Sequence, residues 1–353
     1  MSRLLCVLLL SLVTGAATMP AAELSDRDVL AIAEGRHPRD AAIDRALTFL
    51  RTQARPSGAL SEQHPVALTA LAIIAHLAAG RTTEDGASGA LLKRAIEYVL
   101  DNQDIDGYFG RKDGSRMYGH GIVTLMLAEA FGLCRDDSLE ARIRIALDKA
   151  VALTVKAAQV QKSPQHAGGW RYEPNDNNSD LSLSGWQMMA LHATDQVGIA
   201  VPPEVIAGAL AYMRNRVTED GKVSYEGLGD DRPALRGIAL LCLGAGGALE
   251  TPEGAKMAKA ISARIAADPL QWQGEFFFYR AYYDAVGLNR SAPDLWSTYG
   301  DQLEKILIEH QSPDGSWPTP PGDNEGDKGL TYRTSMALLA LTVRRHVLPA
   351  YQR

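Results

Sequence analysis

Three acidic side chains, Glu173, Asp176 and Asp180, lie within one polar segment of eight residues. A carboxyl group with a raised pKa can donate a proton in catalysis, and several carboxylates together can hold a cation. The segment lacks the glycine that a calcium-binding loop requires at its turn, which favours a solvated loop over a cation site. We therefore take Asp180 and Asp176 as candidate catalytic acids and predict no metal there.

A second set of polar residues opens six similar octets of the sequence. Each octet starts with a hydrogen-bonding side chain and continues as an almost wholly apolar run, as in His-Gly-Ile-Val-Thr-Leu-Met-Leu from residue 120. The opening residues are His64, His120, Ser184, Arg236, Tyr279 and Thr334, and the octet at Tyr279 is the loosest copy. Histidine and arginine are poor helix caps, so His64, His120 and Arg236 indicate a ligand site, and His120 is also a candidate catalytic residue. Ser184 and Thr334 are more typical of N-caps, and Tyr279 fits either role.

Aromatic side chains lie close to these octets, although only 7% of the chain is aromatic. The residues concerned are Tyr118, Trp170, Tyr172, Trp186, Tyr225, Trp272, Tyr282 and Tyr332. Convergent polar groups beside apolar and aromatic surface are the usual composition of a ligand site. We predict that these aromatics and the octet openings, together with Asp180, bind a ligand.

The octets recur at spacings of 56, 64, 52, 43 and 55 residues, a mean of 54, which indicates a repeat. A helix that is apolar all round lies in an interior, whereas the segments between the octets, such as Arg45–Arg51, are amphipathic and predict outer helices. Six such pairs, from about residue 39 to 347, predict an all-α fold, a single closed (α/α)6 toroid over residues 23–353. An open solenoid is disfavoured because no polar capping repeat follows the last octet. In a toroid the starts of the inner helices converge at one end of the cavity.

Glycine-rich turns of similar sequence join the outer helices to the inner ones. The closest copies are Gln103–Phe109 and Gln311–Trp317, in which a glutamine precedes Asp-Gly and an aromatic residue. Glycine permits a left-handed exit from a helix, and the glutamine amide can bond the free carbonyls at the helix end. Many of the 32 glycines thereby receive an explanation.

The Gln-x-x-Asp-Gly-x-Trp turn at Gln311–Trp317 resembles the QW motif of squalene–hopene cyclases. The helix pairs are similar to the prenyltransferase and squalene oxidase repeat, over about 310 residues and all six units. The resemblance implies the toroid of the terpenoid cyclase and protein prenyltransferase superfamily. That fold carries several unrelated activities, so the resemblance alone does not give a function.

The resemblance also identifies where a cyclase would carry its acid. The Asp-x-Asp-Asp motif of the family falls on Asp180, Ser182 and Leu183, so only the first aspartate is kept. A serine hydroxyl cannot protonate an alkene, because that step needs a strong acid. The zinc site of protein prenyltransferases and the thioester sequence of complement-type domains have no counterpart here.

The composition is that of a globular protein, and 36 basic against 42 acidic residues give a net charge of −6, which offers no basis for binding nucleic acid. Residues 1–22 have the basic, apolar and small-residue regions of a signal peptide, which predicts export to the periplasm or outside the cell without a transmembrane segment in the mature chain. Cys134 and Cys242 then remain, as two buried thiols or as one disulfide. The glycine-rich pieces follow helices rather than strands, so no nucleotide cofactor is predicted.

The sequence therefore predicts an exported, squalene-cyclase-like toroid that binds an apolar or isoprenoid-type ligand, or a protein partner, in its central cavity. Two alternatives stay open. One is a terpenoid cyclase or isomerase with a displaced acid among Glu173, Asp176 and Asp180. The other is a polysaccharide-active toroid that uses His120 and Arg236.

Overall fold

The computed structural model describes residues 37–227, 229–345 and 348, so the predicted signal peptide lies outside the described residues. Twelve α-helices make up the described part, together with short 3-10 turns and two isolated β-bridges. They are α1 (Pro38–Thr52), α2 (Pro65–Ala78), α3 (Gly86–Asp101), α4 (Arg116–Ala130), α5 (Asp137–Ala158), α6 (Leu181–Gln196), α7 (Pro203–Arg214), α8 (Arg236–Ala245), α9 (Pro252–Ala267), α10 (Phe277–Ser291), α11 (Pro293–Glu309) and α12 (Gly329–Thr342). Within the described ranges, no helix combines the length and the apolar character that a bilayer span needs.

The even-numbered helices form an inner ring and the odd-numbered helices an outer one. Each inner helix packs on the next, and α12 packs on both α10 and α2, which closes the ring. Helix α2 is buried along its whole length after Pro65, as its apolar octet predicts. Helix α11 buries one face, including Trp296, Leu303 and Leu307, and exposes the other. The predicted all-α toroid of six helix pairs is therefore confirmed.

The glycine-rich turns link neighbouring outer helices. Gly315 has φ +91°, and a Cβ placed on it would lie 2.2 Å from the carbonyl oxygen of Arg45 in α1. The Gln311 amide donates to the carbonyl of Ala42, at 2.9 Å, and so joins the last turn to the first helix. Gly107 and Gln103 make the equivalent contacts with Lys149 and Ala146 of α5. The glutamine side chain thus donates to a carbonyl of the next outer helix. The sequence had predicted that it bonds the free carbonyls at the end of its own helix.

The two cysteines of the described part, Cys134 and Cys242, are separate buried thiols. Burial raises the pKa of both, and that of Cys242 reaches about 12. A thiol with a raised pKa holds little thiolate at neutral pH and is a poor nucleophile. Both cysteines therefore act as small apolar residues of the core.

Candidate functional site

Backbone strain is concentrated where the inner helices begin. Within the described residues, the non-glycine residues of positive φ are His64, Arg116 and Phe276, and they stand at the starts of α2, α4 and α10. A left-handed conformation costs a residue with a Cβ about 1–2 kcal/mol, and such strain is often found at functional sites. The strained residues therefore indicate a functional site at this end of the ring.

A chain of hydroxyl groups crosses the ring at this end. The Tyr118 hydroxyl of α4 donates to the Ser182 hydroxyl of α6 over 3.0 Å, and Ser182 donates to the Tyr279 hydroxyl of α10 over 3.2 Å. Burial is the main cause that raises the pKa of Tyr118 and Tyr279 well above the ordinary value, so both phenols stay protonated. They offer hydrogen bonds and no negative charge.

Asp180 is the N-cap of α6, and its carboxylate accepts from the backbone N–H of Leu183 at 2.8 Å. Its other oxygen pairs with Arg171 at 3.1 Å, and Arg171 also pairs with Glu226. Burial raises the pKa of Asp180 to about 6, although the Leu183 bond and the Arg171 charge oppose that shift. Asp180 is 0% exposed, so it holds Arg171 in place without reaching solvent.

Arg171 organises two tyrosines at the rim of the same site. Its guanidinium lies 4.5 Å from the ring centre of Tyr172 and 5.5 Å from that of Tyr225. The two phenol oxygens are 3.0 Å apart, and both side chains are half-buried. Cation–π contacts of this kind hold aromatic rings in a fixed orientation at a partly solvated surface. Arg171 follows Trp170 directly, but the sequence did not single it out.

A second buried acid, Glu325, stands on the side of α12. Its Oε1 accepts from the Tyr332 hydroxyl and from Lys328, both at 2.6 Å, while its Oε2 is buried without a partner. Burial is the main cause of the raised pKa of Tyr279, and the charges of Asp180 and Glu325 both add to it, so Tyr279 is within electrostatic range of both acids. The sequence analysis missed Glu325. The signal that could have found it is an acid shortly before an inner helix, as Asp180 is before α6.

The site is shallow. Ser182 is 8% exposed, Tyr279 and Ile122 are 7% exposed and Trp186 is 4% exposed, all in the first two turns of their helices. One turn deeper the accessible surface ends, since Tyr283 and Met189 are 1% exposed. Accessible surface at this end of the ring is therefore confined to the first two turns of the inner helices. We call the accessible region around Tyr118, Ser182, Tyr279 and Tyr332 the cup.

Three residues of the cup lie two positions before a predicted octet opening. Tyr118, Ser182 and Tyr332 precede His120, Ser184 and Thr334 by two residues each. Two residues turn an α-helix by about 200°, so the openings face away from the cup. Ser184 bonds the backbone around Trp170, and Thr334 is fully buried. The prediction that the octet openings converge on the cavity is therefore wrong for these positions.

His120 and Arg236 lie between the two rings. The His120 Nε2 is 3.1 Å from the carbonyl of Ala150 and 3.0 Å from the Thr154 hydroxyl, both on α5. Arg236 pairs with Asp231 at 2.9 Å and with Asp268 at 3.1 Å. These contacts turn both side chains toward the outer helices, so neither joins the cup.

Of the other predicted residues, some lie at the cup and the rest lie away from it. His64 is exposed at the rim, and Trp186 packs at the floor of the cup with its ring centre 5.5 Å from that of Tyr283. Those away from the cup have structural contacts. Trp170 and Tyr282 are buried, and the Trp272 ring stacks on His310. The Asp176 carboxylate accepts a hydrogen bond from the backbone N–H of Glu173 within its own loop. The described residues contain no group of three or more potential metal-binding side chains.

His120 makes a pH-dependent contribution to stability that can be measured. Burial lowers the pKa of His120 to about 4, so the unfolded chain binds a proton more readily between about pH 4 and 6.5. Stability from this residue is therefore complete above pH 6.5 and is lost on acidification, by about 3 kcal/mol at one pKa unit per 1.4 kcal/mol. In His120→Gln, the loss of unfolding free energy from pH 7 to pH 4 should shrink by about 2–3 kcal/mol. Urea unfolding at both pH values measures it, and an unchanged loss would contradict the assignment.

Comparison with known proteins supports the fold. No family model matches the chain, and no curated protein matches it. The α-1,6-mannanase GH76A of Salegentibacter sp. HEL1_6 superposes with a TM-score of 0.62 at 12% identity, over 87% of this chain and 99% of that one. The type II terpene cyclase MstE from Scytonema gives 0.54 at 16% identity, over 88% and 99%. A protein from Actinoplanes gives 0.55 at 16%, over 87% and 98%. At these identities the likeness shows the α/α toroid fold alone.

Proposed function

We propose that the cup binds a polyhydroxylated ligand, namely a saccharide chain. The observation that carries the proposal is the row of hydroxyl groups Tyr118, Ser182 and Tyr279 on a shallow floor, edged by the half-buried rings of Tyr172 and Tyr225. Sugars offer many hydroxyl groups for hydrogen bonds and apolar ring faces for contact with aromatic side chains. Phenols that are both donors and acceptors match that pattern.

The same geometry argues against the isoprenoid ligand that the sequence favoured. An apolar chain of fifteen or more carbons gains its affinity from burial in a deep apolar cavity. One turn below the cup, Tyr283 and Met189 are 1% exposed, so the accessible surface that the cup offers is shallow. Neighbours of this fold include a mannanase variant in complex with α-1,6-mannotetrose and a cyclase variant with geranylgeranyl dihydroxybenzoate, so the fold admits either ligand class.

The proposal is one of binding, without hydrolysis. A glycosidase uses two carboxyl groups that both reach the sugar. Asp180 is fully buried and bonded to Leu183 and Arg171, which makes it a positioning residue for Arg171. Export through the predicted signal peptide at residues 1–22 is part of the same proposal, since it would bring the cup to envelope or extracellular polysaccharides.

Tyr279→Phe should lower the affinity for a bound oligosaccharide about fivefold, the effect of about 1 kcal/mol from one lost hydrogen bond. The test is calorimetric titration of the mature protein with a panel of oligosaccharides that includes α-1,6-mannotetraose. Tyr98→Phe, on outer helix α3, is the matched control and should leave affinity unchanged. Failure of every glycan to bind, together with a polyprenyl lipid retained by the purified protein, would overturn the proposal.

A further inference from the structure

A second concave surface lies on the outer wall, at the end of α10 farthest from the cup. It is an open groove of about 640 Å³ along α9. Its apolar lining consists of Leu249, Ala255, Ala258, Ala263, Ala266, Ala292 and Leu295. Its polar lining includes Lys259, Ser262, Arg290 and Ser291. We call this the α9 groove; nothing in the proposed saccharide site involves it.

Arg290 is a partly buried cation without an acidic partner among the described residues. Its Nη2 donates to the carbonyl of Gly244 at 3.2 Å, and its Nη1 is buried with no hydrogen bond. Burial lowers the pKa of Arg290, and no neighbouring carboxylate offsets that shift. A guanidinium that is withdrawn from water without a counter-ion is unfavourable, and an anionic acceptor would offset that cost.

Two hydroxyl groups at the α9 groove also lack partners. Ser262 is 2% exposed, and neither its Oγ nor the Oγ of Ser291 makes a hydrogen bond. A buried hydroxyl group without a partner costs free energy. A ligand acceptor that hydrogen-bonds to both Ser262 and Arg290 would remove that cost, which favours binding of the ligand.

The start of α11 adds a third feature that favours an anion. Ala292 is its N-cap and provides no side-chain bond to the 17-residue helix; Pro293 has no N–H, so the uncapped donors are the backbone N–H groups of Asp294 and Leu295. Ala292 itself lines the groove, and helix starts carry partial positive charge. The acidic residue in the lining is Glu250, which is exposed, and the lining also contains the basic residue Lys259.

We propose that the α9 groove binds a monocarboxylate with an apolar tail, such as a medium-chain fatty acid. The Arg290 Nη1 and the hydroxyl groups of Ser262 and Ser291, which are covered and without partners in the free protein, turn toward the carboxylate on binding, because hydrogen bonds from a charged donor to a carboxylate are the strong ones. The alanine and leucine side chains take the alkyl chain. The volume of the groove lies within the range of small-molecule sites.

The test is a calorimetric titration with sodium decanoate, with decan-1-ol and with inorganic phosphate. We expect decanoate to bind at least tenfold more tightly than decan-1-ol, and phosphate not to bind at the same place. Equal binding of decanoate and decan-1-ol, binding of phosphate in competition with decanoate, or no binding of decanoate would each overturn the proposal.

Variants locate the site and separate it from the cup. Arg290→Gln should weaken decanoate binding at least tenfold. Ala263→Glu, at an exposed position of α9, should do the same by repulsion without disturbing the fold. Lys256→Gln, exposed on the same helix but outside the lining, is the matched control and should bind decanoate as the parent does. Undiminished decanoate binding in Ala263→Glu would overturn the assignment, and oligosaccharide titration of that variant reports on the cup independently.

Discussion

Gly315→Ala should destabilise the toroid by about 2–5 kcal/mol, the sum of left-handed strain and of a forced contact in a packed region. Gly315 has φ +91°, and an added Cβ would lie 2.2 Å from the backbone carbonyl oxygen of Arg45. The contact lies between the last turn and the first helix, where Gln311 also bonds α1. The substitution therefore pushes the ring apart at its closure, and urea unfolding measures the loss.

Gly80→Ala is the matched control for that experiment. Gly80 has φ +78°, but a Cβ there would meet nothing within 4 Å. It should cost about 1 kcal/mol, from backbone strain alone. Equal losses in the two variants would show that the contact with Arg45 contributes nothing and that the closure tolerates the extra atom.

Arg171→Met should cost about 3–5 kcal/mol at neutral pH, because it leaves the buried carboxylate of Asp180 without its charged partner. Without Arg171 the pKa of Asp180 rises further above 6, so the folded state holds the proton over a wider range. A carboxyl group with a raised folded pKa loses stability as the pH rises, so the cost should be smaller at pH 4–5 than at pH 8. Urea unfolding at the two pH values measures the difference.

The double variant Asp180→Asn/Arg171→Met tests the cause. It removes the buried charge together with its partner, and it should recover at least half of the stability lost in Arg171→Met. Equal instability of the single and double variants would mean that Arg171 acts through its packing on Tyr172 and Tyr225 rather than through Asp180. Saccharide affinity should fall in both variants, since both lose the support of the two rings.

The octets illustrate what a repeat in the sequence does and does not fix. The run that opens at His64 predicts an inner helix, and α2 begins one residue later at Pro65. The loosest copy, from Tyr279, is offset by two residues, because Tyr279 faces the cup as Tyr118, Ser182 and Tyr332 do. Aligning the apolar runs gives the period of the fold, but it does not give the direction of each polar side chain around its helix.

The sequence by itself determined the all-α class, the six helix pairs and the alternation of inner and outer helices, because apolar periodicity depends only on the order of residues along the chain. It also identified Asp180 as a candidate site residue and the glycines as turn residues. Only the tertiary structure decided that His120 and Arg236 face the outer ring, that Arg171 and Glu325 belong to the site, and that accessible surface ends one turn below Tyr279. Those outcomes depend on the rotation of each helix about its axis and on side chains from distant units meeting in space, and neither can be derived from local spacing.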